Sequence, residues 1–466
     1  MKRFIMMALV AVIALCFTAP ASAVEVNMSG KWENAFQWSD NTNLFDETVD
    51  ATSEDDFFAY QRVRFYWEAV ASENVRGVFG LQSTMDYGRS AGANQSSLGS
   101  DAVGITREDT YIDFNWPNTA LRVRMGFWYL EPPTNFGAPV WNDDVAGISA
   151  SYAFNDMVSM VAFWARLYDE NITGDAGDEA SEEVDAFGLI LPVAGDGFNF
   201  TPWVIYAAHG GNTTGFAGAS TPVRQGLGAL NATRLDDDVR VWWAGAQFSL
   251  NMFDPFIFYA DLIYGDQSGA QEQNDRSGWW FDLAMDYTGF DMVTPRLFFA
   301  WGSGDDEDVQ DGSERLPTLG GESCGCGITS FGLDGSAGWR TADSVLIGGG
   351  YGFWVLGGSL VDFSFIESVS HTFTLAYGQG TNDSDLVEDA LAGNAAWIGN
   401  APTILTDEDS FWEINFDTKY QMYENMAAYL ELGYVDVNLD DDVWTSAIGD
   451  EVESASKAAF IFQYSF

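Results

Sequence analysis

Short stretches in which every second residue is apolar recur along the whole chain. In the clearest of them, Trp279–Tyr287, large apolar side chains alternate with polar ones that include Asp282 and Asp286. Successive side chains of a β-strand point to opposite faces, so this period predicts strands with one apolar and one polar face. The aspartate-bearing face requires water, and the aromatic-rich face requires lipid or a covering core.

The alternating stretches follow a repeated order. Two of them are joined by a very short turn, such as 72–74 or 117–119, and a longer, polar and acidic segment then follows. Short turns at one end and long loops at the other are typical of barrels in outer membranes. We therefore predict an all-β fold, a transmembrane antiparallel β-barrel of about 18 strands, with 16 as the alternative. The count is least secure at 348–358, which is rich in glycine.

The last ten residues, 457–466, read KAAFIFQYSF, so aromatic side chains occupy every second position up to the terminal Phe466. An edge strand of a soluble β-sandwich is the alternative interpretation. The pattern resembles the C-terminal strand of bacterial outer-membrane proteins. This resemblance implies short turns on the periplasmic side, long loops outside the cell, and a location in the bacterial outer membrane.

The amino terminus has the features of a secretory signal. Lys2 and Arg3 precede an apolar run, and Ala21, Ser22 and Ala23 form a small-residue cleavage site. We predict that 1–23 is a cleaved signal peptide and that 24–466 forms a single barrel domain. No change of composition and no Pro/Ser-rich linker divides the chain after the signal.

The charge balance limits the partners. The chain has 69 acidic and 20 basic residues, for a formal net charge of −49. Nucleic acid is excluded as a partner, because neutralising phosphates requires a basic surface. The acidic clusters lie mostly in predicted outer loops. They form either a solvated surface or sites for Ca²⁺ or Mg²⁺, which prefer oxygen ligands and would also bridge to lipopolysaccharide.

A set of arginines falls out of phase with the apolar face and is therefore predicted to face the lumen. Neighbouring strands lie about 4.8 Å apart, so these side chains would form a basic wall along the pore. Structural pairing with barrel carboxylates such as Glu68 and Asp113 is the alternative. The predicted wall consists of Arg62, Arg64, Arg76, Arg122, Arg124 and Arg166.

The arginines and the C-terminal strand together resemble the general diffusion porins of Gram-negative outer membranes, and most closely the homotrimeric porins of sulfate-reducing bacteria. In that family the third long loop folds into the barrel and presents carboxylates opposite a cluster of arginines. The corresponding loop here is Tyr129–Asp144, in which Asn135, Phe136 and Gly137 match part of the family's motif. The resemblance implies a homotrimer and constriction-loop carboxylates at Glu131, Asp143 and Asp144.

The cysteines and histidines limit the chemistry of the chain. Cys324 and Cys326 lie in the longest predicted loop, where a local disulfide is allowed outside the cytoplasm and a two-thiolate metal site is the alternative. His209 and His371 are the only histidines, and neither has a partner in the sequence that would make a catalytic group. We therefore predict that the protein is not an enzyme and requires no cofactor beyond structural Ca²⁺ or Mg²⁺.

The expected function is a water-filled channel for passive diffusion of small hydrophilic solutes and ions. The net charge favours cations at the mouth and the arginines favour anions at the neck, and we predict a weak preference for cations. Small or polar residues at inward positions, such as Gly80, Gln82 and Gly378, favour an open lumen. Two alternatives remain open at this point. One is a substrate-specific channel, and the other is a surface barrel with a filled lumen and an adhesive or structural role.

Overall fold

The computed structural model describes a defined part of the chain. The predicted signal peptide, 1–23, lies outside the described residues, and so do Cys324, Cys326 and most of the acid-rich loop segments. The described ranges are 24–41, 56–88, 104–169, 183–210, 239–269, 275–307, 312–319, 336–338, 352–385, 405–444, 452 and 454–466.

The described chain consists almost entirely of β-strands. The strands are β1 (Glu25–Asp40), β2 (Asp56–Ser72), β3 (Val75–Asp86), β4 (Gly104–Asn115), β5 (Leu121–Leu130), β6 (Asp143–Ala153), β7 (Ser159–Asp169), β8 (Glu183–Ile190 and Val193–Gly195), β9 (Phe198–His209), β10 (Val239–Phe253), β11 (Phe256–Ser268), β12 (Arg276–Tyr287), β13 (Thr294–Gly302), β14 (Phe353–Ile366), β15 (Val369–Gly380), β16 (Ser410–Tyr423), β17 (Met426–Asn438) and β18 (Ala455–Ser465). A single helical turn, α1 (Asp441–Trp444), precedes β18. Among the described residues, no helix is both long enough and apolar enough to cross a bilayer.

Every strand pairs antiparallel with the next, and β18 pairs back with β1, which closes the barrel. Both pieces of β8 pair with β9, so they form one strand interrupted at Leu191 and Pro192. Proline cannot donate a hydrogen bond to a strand ladder, which accounts for the break. The barrel therefore has 18 strands, and the predicted fold class and strand number are confirmed.

The alternation of the sequence separates two surfaces. On β12, Leu283 is 48% exposed on the outside, whereas the adjacent Asp282 is 1% exposed on the inside. The same alternation is found on β16, where Trp412 and Ile414 face outward and Glu413 is fully buried. A closed barrel leaves no unpaired sheet edge, and its apolar outer surface fits the hydrocarbon of a membrane.

The interior is not uniformly hollow. Toward the long-loop end of β9–β16, large inward aromatic side chains pack with inserted loop segments into an apolar core; they include Trp203, Trp243, Trp280, Phe298, Phe353 and Phe411. Small inward residues provide the space for these rings, because a Cβ on Gly378 would lie 2.4 Å from the ring of Phe411. The sequence analysis predicted open lumen beside Gly378, but this space is filled.

The described loops at this end are also held by a buried carboxylate. Asp409 accepts hydrogen bonds from the backbone N–H of Thr406 (2.7 Å), the backbone N–H of Asp440 (2.8 Å) and the indole of Trp444 (2.8 Å). Burial raises the pKa of Asp409, and these donors partly offset the shift. The carboxylate thus joins the segments that precede β16 and follow β17.

The assignment of the outer surface to lipid can be tested by placing a charge on it and, as a control, in an exposed turn. Leu283→Arg places a guanidinium in the hydrocarbon at mid-strand and should lower the free energy of unfolding by about 2–4 kcal/mol. Asp291→Arg, in the exposed turn before β13, should change it by less than about 0.5 kcal/mol. Urea unfolding in lipid vesicles, followed by tryptophan fluorescence, measures both. Equal unfolding midpoints for the two variants would contradict the assigned outer surface.

Candidate functional site: the interior of the barrel

The loop between β5 and β6, residues 131–142, folds into the barrel, and we refer to it as L3. Its principal attachment is Asn135, whose backbone N–H donates to Asp261 Oδ2 at 2.6 Å. The Asn135 side-chain amide donates to Asp261 Oδ1 at 2.9 Å and to the backbone carbonyls of Phe248 (3.1 Å) and Ala260 (3.2 Å). One residue of L3 therefore makes four hydrogen bonds to the wall formed by β10 and β11.

Neighbouring residues extend this attachment. Gln247 donates to the carbonyl of Thr134 at 2.7 Å, and the Trp203 indole donates to the carbonyl of Pro133 at 3.0 Å. Phe136 contacts the ring of Tyr259 edge to face, with the centroids 5.5 Å apart. L3 is thus fixed along β9, β10 and β11, and it narrows the lumen from that side.

Beneath L3 lies a pair of buried carboxylates. Asp261 and Asp282 are direct cross-strand neighbours on β11 and β12, with exposures of 2% and 1%. Trp280 donates its indole N–H to Asp282 at 3.0 Å. A buried carboxylate is costly unless hydrogen-bond donors reach it, so Asp261 depends on Asn135 as much as L3 depends on Asp261.

A second inserted segment packs against L3. Residues 312–319, from the long connection between β13 and β14, form a bridge to β12, with Ser277 N–H donating to the Ser313 carbonyl at 2.9 Å. Trp243 donates to the carbonyl of Pro317 (2.7 Å), and Leu319 N–H donates to the carbonyl of Val140 in L3 (2.8 Å). The two inserted segments therefore support each other on the same wall.

A third inserted piece contacts a different part of the barrel. Ala337 N–H donates to Glu431 Oε1 at 2.7 Å, and the Ser336 hydroxyl donates to the same carboxylate. Gln463 on β18 donates to the carbonyl of Ala337. Residues 312–319 and 336–338 belong to one connection, yet they are bonded to walls that lie several strands apart.

The three carboxylates predicted for the constriction loop lie at the two ends of L3 and do not take part in its attachment to β10 and β11. Glu131 accepts a hydrogen bond from the Tyr129 hydroxyl at 2.9 Å, while Asp143 and Asp144 are the first residues of β6. Within the described ranges, none of the three forms an ion pair with a predicted wall arginine, although Asp144 is within electrostatic range of Arg64. Sequence reasoning missed Asp261 as the anchor of L3. The sequence signal for this anchor was that the neighbouring strands β11 and β12 both carry aspartates on their inward faces.

The six predicted wall arginines separate into three groups. Arg62 and Arg64 lie at mid-height on β2, where Arg62 is 7% exposed. Arg64 donates to Gln82 at 2.8 Å and lies 3.4 Å from Glu108. This pair faces the lumen.

Arg76, Arg122 and Arg124 meet at the short-turn end. Arg76 lies 2.7 Å from Glu68 and 3.2 Å from Asp113, and Arg124 lies 3.3 Å from Asp113. Arg122 donates to both oxygens of the same aspartate. The structure therefore contains the pairing with Glu68 and Asp113 that the sequence left open as an alternative.

Arg166 does not face the lumen, which corrects the prediction for this residue. It is in register with Ala146 and Asp185 on the outer surface, whereas its neighbour Ala165 faces the buried core. Outside, it binds Asp169 (2.8 Å), Glu183 (2.9 Å) and Asp185 (2.7 Å). Both faces of β7 are apolar because the core covers the inner one. The alternation of apolar and polar residues therefore could not show which face of β7 points inward.

Along β1–β5, five basic groups face the water and most of their acidic partners lie behind them. The side chains of Lys31, Arg64, Arg76, Arg122 and Arg124 are 30–45% exposed. The carboxylate side chains of Glu33, Glu108 and Asp113 are 1%, 9% and 2% exposed, whereas Glu68, the second partner of Arg76, is 30% exposed. The hydrated part of the lumen therefore presents mainly guanidinium and ammonium groups to a passing solute.

No protein-family model and no curated protein matches the sequence. Solved structures do match. OccAB4 of Acinetobacter baumannii is 10% identical, with coverage of 96% of this chain and 99% of that chain, at a TM-score of 0.55. OprD of Pseudomonas aeruginosa is 12% identical, with coverage of 97% and 98% and a TM-score of 0.54. OpdL of Pseudomonas aeruginosa is 11% identical, with coverage of 95% and 99% and a TM-score of 0.54.

The chain has the fold of an outer-membrane barrel. One of the matching structures is described as the outer membrane protein OprD, at 12% identity and a TM-score of 0.53. At this level of identity the similarity establishes the fold, and the chemistry of the lumen has to be argued from the residues of this chain.

The attachment of L3 can be tested by removing its anchor. Asn135→Ala deletes three side-chain hydrogen bonds and leaves Asp261 buried with fewer donors, so L3 should detach more often from the wall. Amide hydrogen exchange of residues 131–142 should become about tenfold faster, equivalent to about 1.4 kcal/mol. Asn199→Ala, which removes one exposed bond to Ser249, is the control. Unchanged exchange in Asn135→Ala would contradict the assignment of Asn135 as anchor.

Proposed function

We propose that this protein is an outer-membrane porin that forms a water-filled channel for passive diffusion of small hydrophilic solutes and ions. Three features support this function: the closed barrel with an apolar outer surface, the hydrated charged wall of β1–β5, and L3 fixed inside opposite that wall. The water-facing basic wall is the observation that carries the proposal, because inward guanidinium and ammonium groups that remain exposed require water-filled space beside them.

The arrangement of charge favours anions at the narrow part of the channel. At that height the side chain of Arg64 is 33% exposed, while the neighbouring carboxylate of Glu108 is 9% exposed. The acidic outer loops act in the opposite direction at the mouth, where they concentrate cations. The narrowest part of a pore usually dominates selectivity, so we propose a net preference for anions, in place of the weak cation preference predicted from the net charge.

A substrate-specific channel is the second candidate. L3 and residues 312–319 cover one wall with bonded backbone and buried aromatic side chains, so the hydrated passage is confined to the remaining wall. A confined passage with fixed donors discriminates among solutes more than a wide one does.

A surface barrel without a channel is the third candidate function, and the absence of ion conductance would identify it.

Anion preference can be measured directly. Purified protein in a planar bilayer under a tenfold KCl gradient should give stepwise currents. Their reversal potential should have the sign of the chloride equilibrium potential. Arg64→Gln removes a water-facing charge at mid-height and should move the reversal potential toward zero. Arg240→Gln, an exposed residue at the long-loop end of β10, should move it less. A wild-type reversal potential with the sign of the potassium equilibrium potential would contradict the proposed selectivity.

We further propose a homotrimer, as the resemblance to porins of sulfate-reducing bacteria implies. Small outward side chains at Gly77, Ser456 and Ala458 would allow close packing between barrels. Light scattering of the detergent-solubilised protein should then give three times the protomer mass after correction for detergent. A single protomer mass would exclude the trimer.

Divalent cations remain a hypothesis for the acidic outer loops and for contacts to lipopolysaccharide. Within the described ranges, no group of three or more candidate side chains is arranged to hold a metal, and most of the acidic segments lie outside those ranges. If Ca²⁺ or Mg²⁺ crosslinks the loops, EDTA should lower the melting temperature and excess Ca²⁺ should restore it. An identical melt with and without EDTA would remove the hypothesis.

A further inference from the structure

The two aspartates beneath L3 differ in the hydrogen-bond donors that reach them. Asp261 accepts at both oxygens from Asn135, through its backbone N–H at 2.6 Å and its side-chain amide at 2.9 Å. Asp282 accepts the Trp280 indole at Oδ2, at 3.0 Å, but no donor among the described residues reaches its Oδ1. Asp282 is only 1% exposed. Because a buried carboxylate oxygen without a donor is costly, Oδ1 requires a partner of another kind.

Strand register leaves one group for this oxygen to contact. Asp282 lies directly opposite Asp261 on β11 and opposite Ala300 on β13. Directly opposed side chains have Cβ atoms about 4.5–5.5 Å apart, and the two carboxyl groups are within hydrogen-bonding contact of each other. Ala300 has no polar side-chain atom. Since Oδ2 of Asp282 is bound to Trp280, Oδ1 is the oxygen that meets Asp261.

The elements packed directly against the pair supply no cation to neutralise it. On β10, Asp261 is opposite Gln247, whose side chain donates to L3. Residues 132–142 of L3 contain no charged residue. Toward the short-turn end, the nearest inward charges are Asp286 and Arg296, which bind each other at 2.7 and 2.8 Å.

The other titratable groups on these elements lie farther along the strands. Tyr259 is the next inward residue on β11 and packs on L3 through its ring. Toward the long-loop end, the next charged residues lie at or beyond Gly278, two inward positions from Asp282; they are Arg276, Glu314 and Arg315. Two carboxyl groups therefore face each other without a cation between them, and both cannot ionise there without a large cost.

We propose that Asp282 carries a proton on Oδ1 and donates it to Asp261, so that the pair holds one proton and forms a proton-dependent latch beneath L3. Asp261 then has donors from both sides, Asn135 of the loop and Asp282 of the wall. Asp282 is a positioning residue, since it acts on L3 through Asp261. The inference rests on the proposed channel, because L3 is the loop that narrows its passage.

The latch has a defined response to pH. When the O–H bond of Asp282 breaks, the proton passes to the solvent and two negative charges remain side by side in a buried site. Hydrating the second charge requires water to enter beneath L3, so L3 should detach more often from the wall. The latch is therefore closed below the pH at which this proton is lost and open above it.

Hydrogen exchange of L3 in the lipid-embedded protein tests the latch without relying on conductance. The protection factor of residues 131–142, which corrects for the intrinsic effect of pH on exchange, should fall about tenfold between about pH 6 and about pH 9. Asp282→Asn should abolish this fall, because its amide oxygen can accept the Trp280 indole while its N–H donates permanently to Asp261. Asp291→Asn, in the exposed turn before β13, is the matched control and should respond as the wild type does.

Infrared spectroscopy detects the proton itself. At about pH 7, where ordinary carboxyl groups are ionised, the wild type and Asp291→Asn should show a protonated-carboxyl band that Asp282→Asn lacks. Wild-type and Asp282→Asn spectra without this difference would overturn the shared proton.

The exchange experiment also has outcomes that would overturn the latch: wild-type protection that does not change with pH, or a fall that persists in Asp282→Asn. Thermal melts show whether Asp282→Asn is folded, and if it is not, the wild-type protection factors still decide. A folded protein that shows the pH response but no conductance would overturn the channel function and leave the latch in place.

Discussion

The interior of this barrel depends on inward carboxylates that accept hydrogen bonds from inserted loops. Asp261 holds L3 through Asn135, and Glu431 holds residues 336–338. Asp409, itself in the loop before β16, joins the segments flanking β16 and β17 in the same way. A carboxylate buried among strands is costly without donors, and an inserted loop has backbone N–H groups that need acceptors. Each therefore satisfies the other. Part of the strongly acidic composition thus serves the packing of the lumen.

The same arrangement makes the two sides of the lumen different. On β9–β16 the loops cover aromatic side chains, and most inward groups lose contact with water. On β1–β5 four arginines and Lys31 extend into the remaining space, with most of their acidic partners behind them. A solute passing through the barrel would therefore contact basic groups on one side and loop backbone on the other.

Alternation along the strands was sufficient to predict the barrel, its 18 strands and the inward orientation of Arg62, Arg64, Arg76, Arg122 and Arg124. The alternation of apolar and polar residues is a local property of each strand, so it can be recognised in the sequence without knowing which strands pair with it. It failed at Arg166, because the buried core makes both faces of β7 apolar. It also failed at Gly378, whose free space is occupied by the ring of Phe411. The anchor at Asp261 depends on contacts more than a hundred residues apart in sequence, which a pattern within one strand does not contain.

The central claim, an open and hydrated passage beside L3, is tested most directly with uncharged solutes, which respond to the width of the passage and not to its charge. Liposomes containing the folded protein should swell in isotonic arabinose, and more slowly in a larger sugar such as raffinose. A graded dependence on solute size is the result that a passage narrowed by L3 predicts. Liposomes that do not swell in arabinose, although they contain folded barrels, would contradict the claim and would favour a surface barrel with a filled interior.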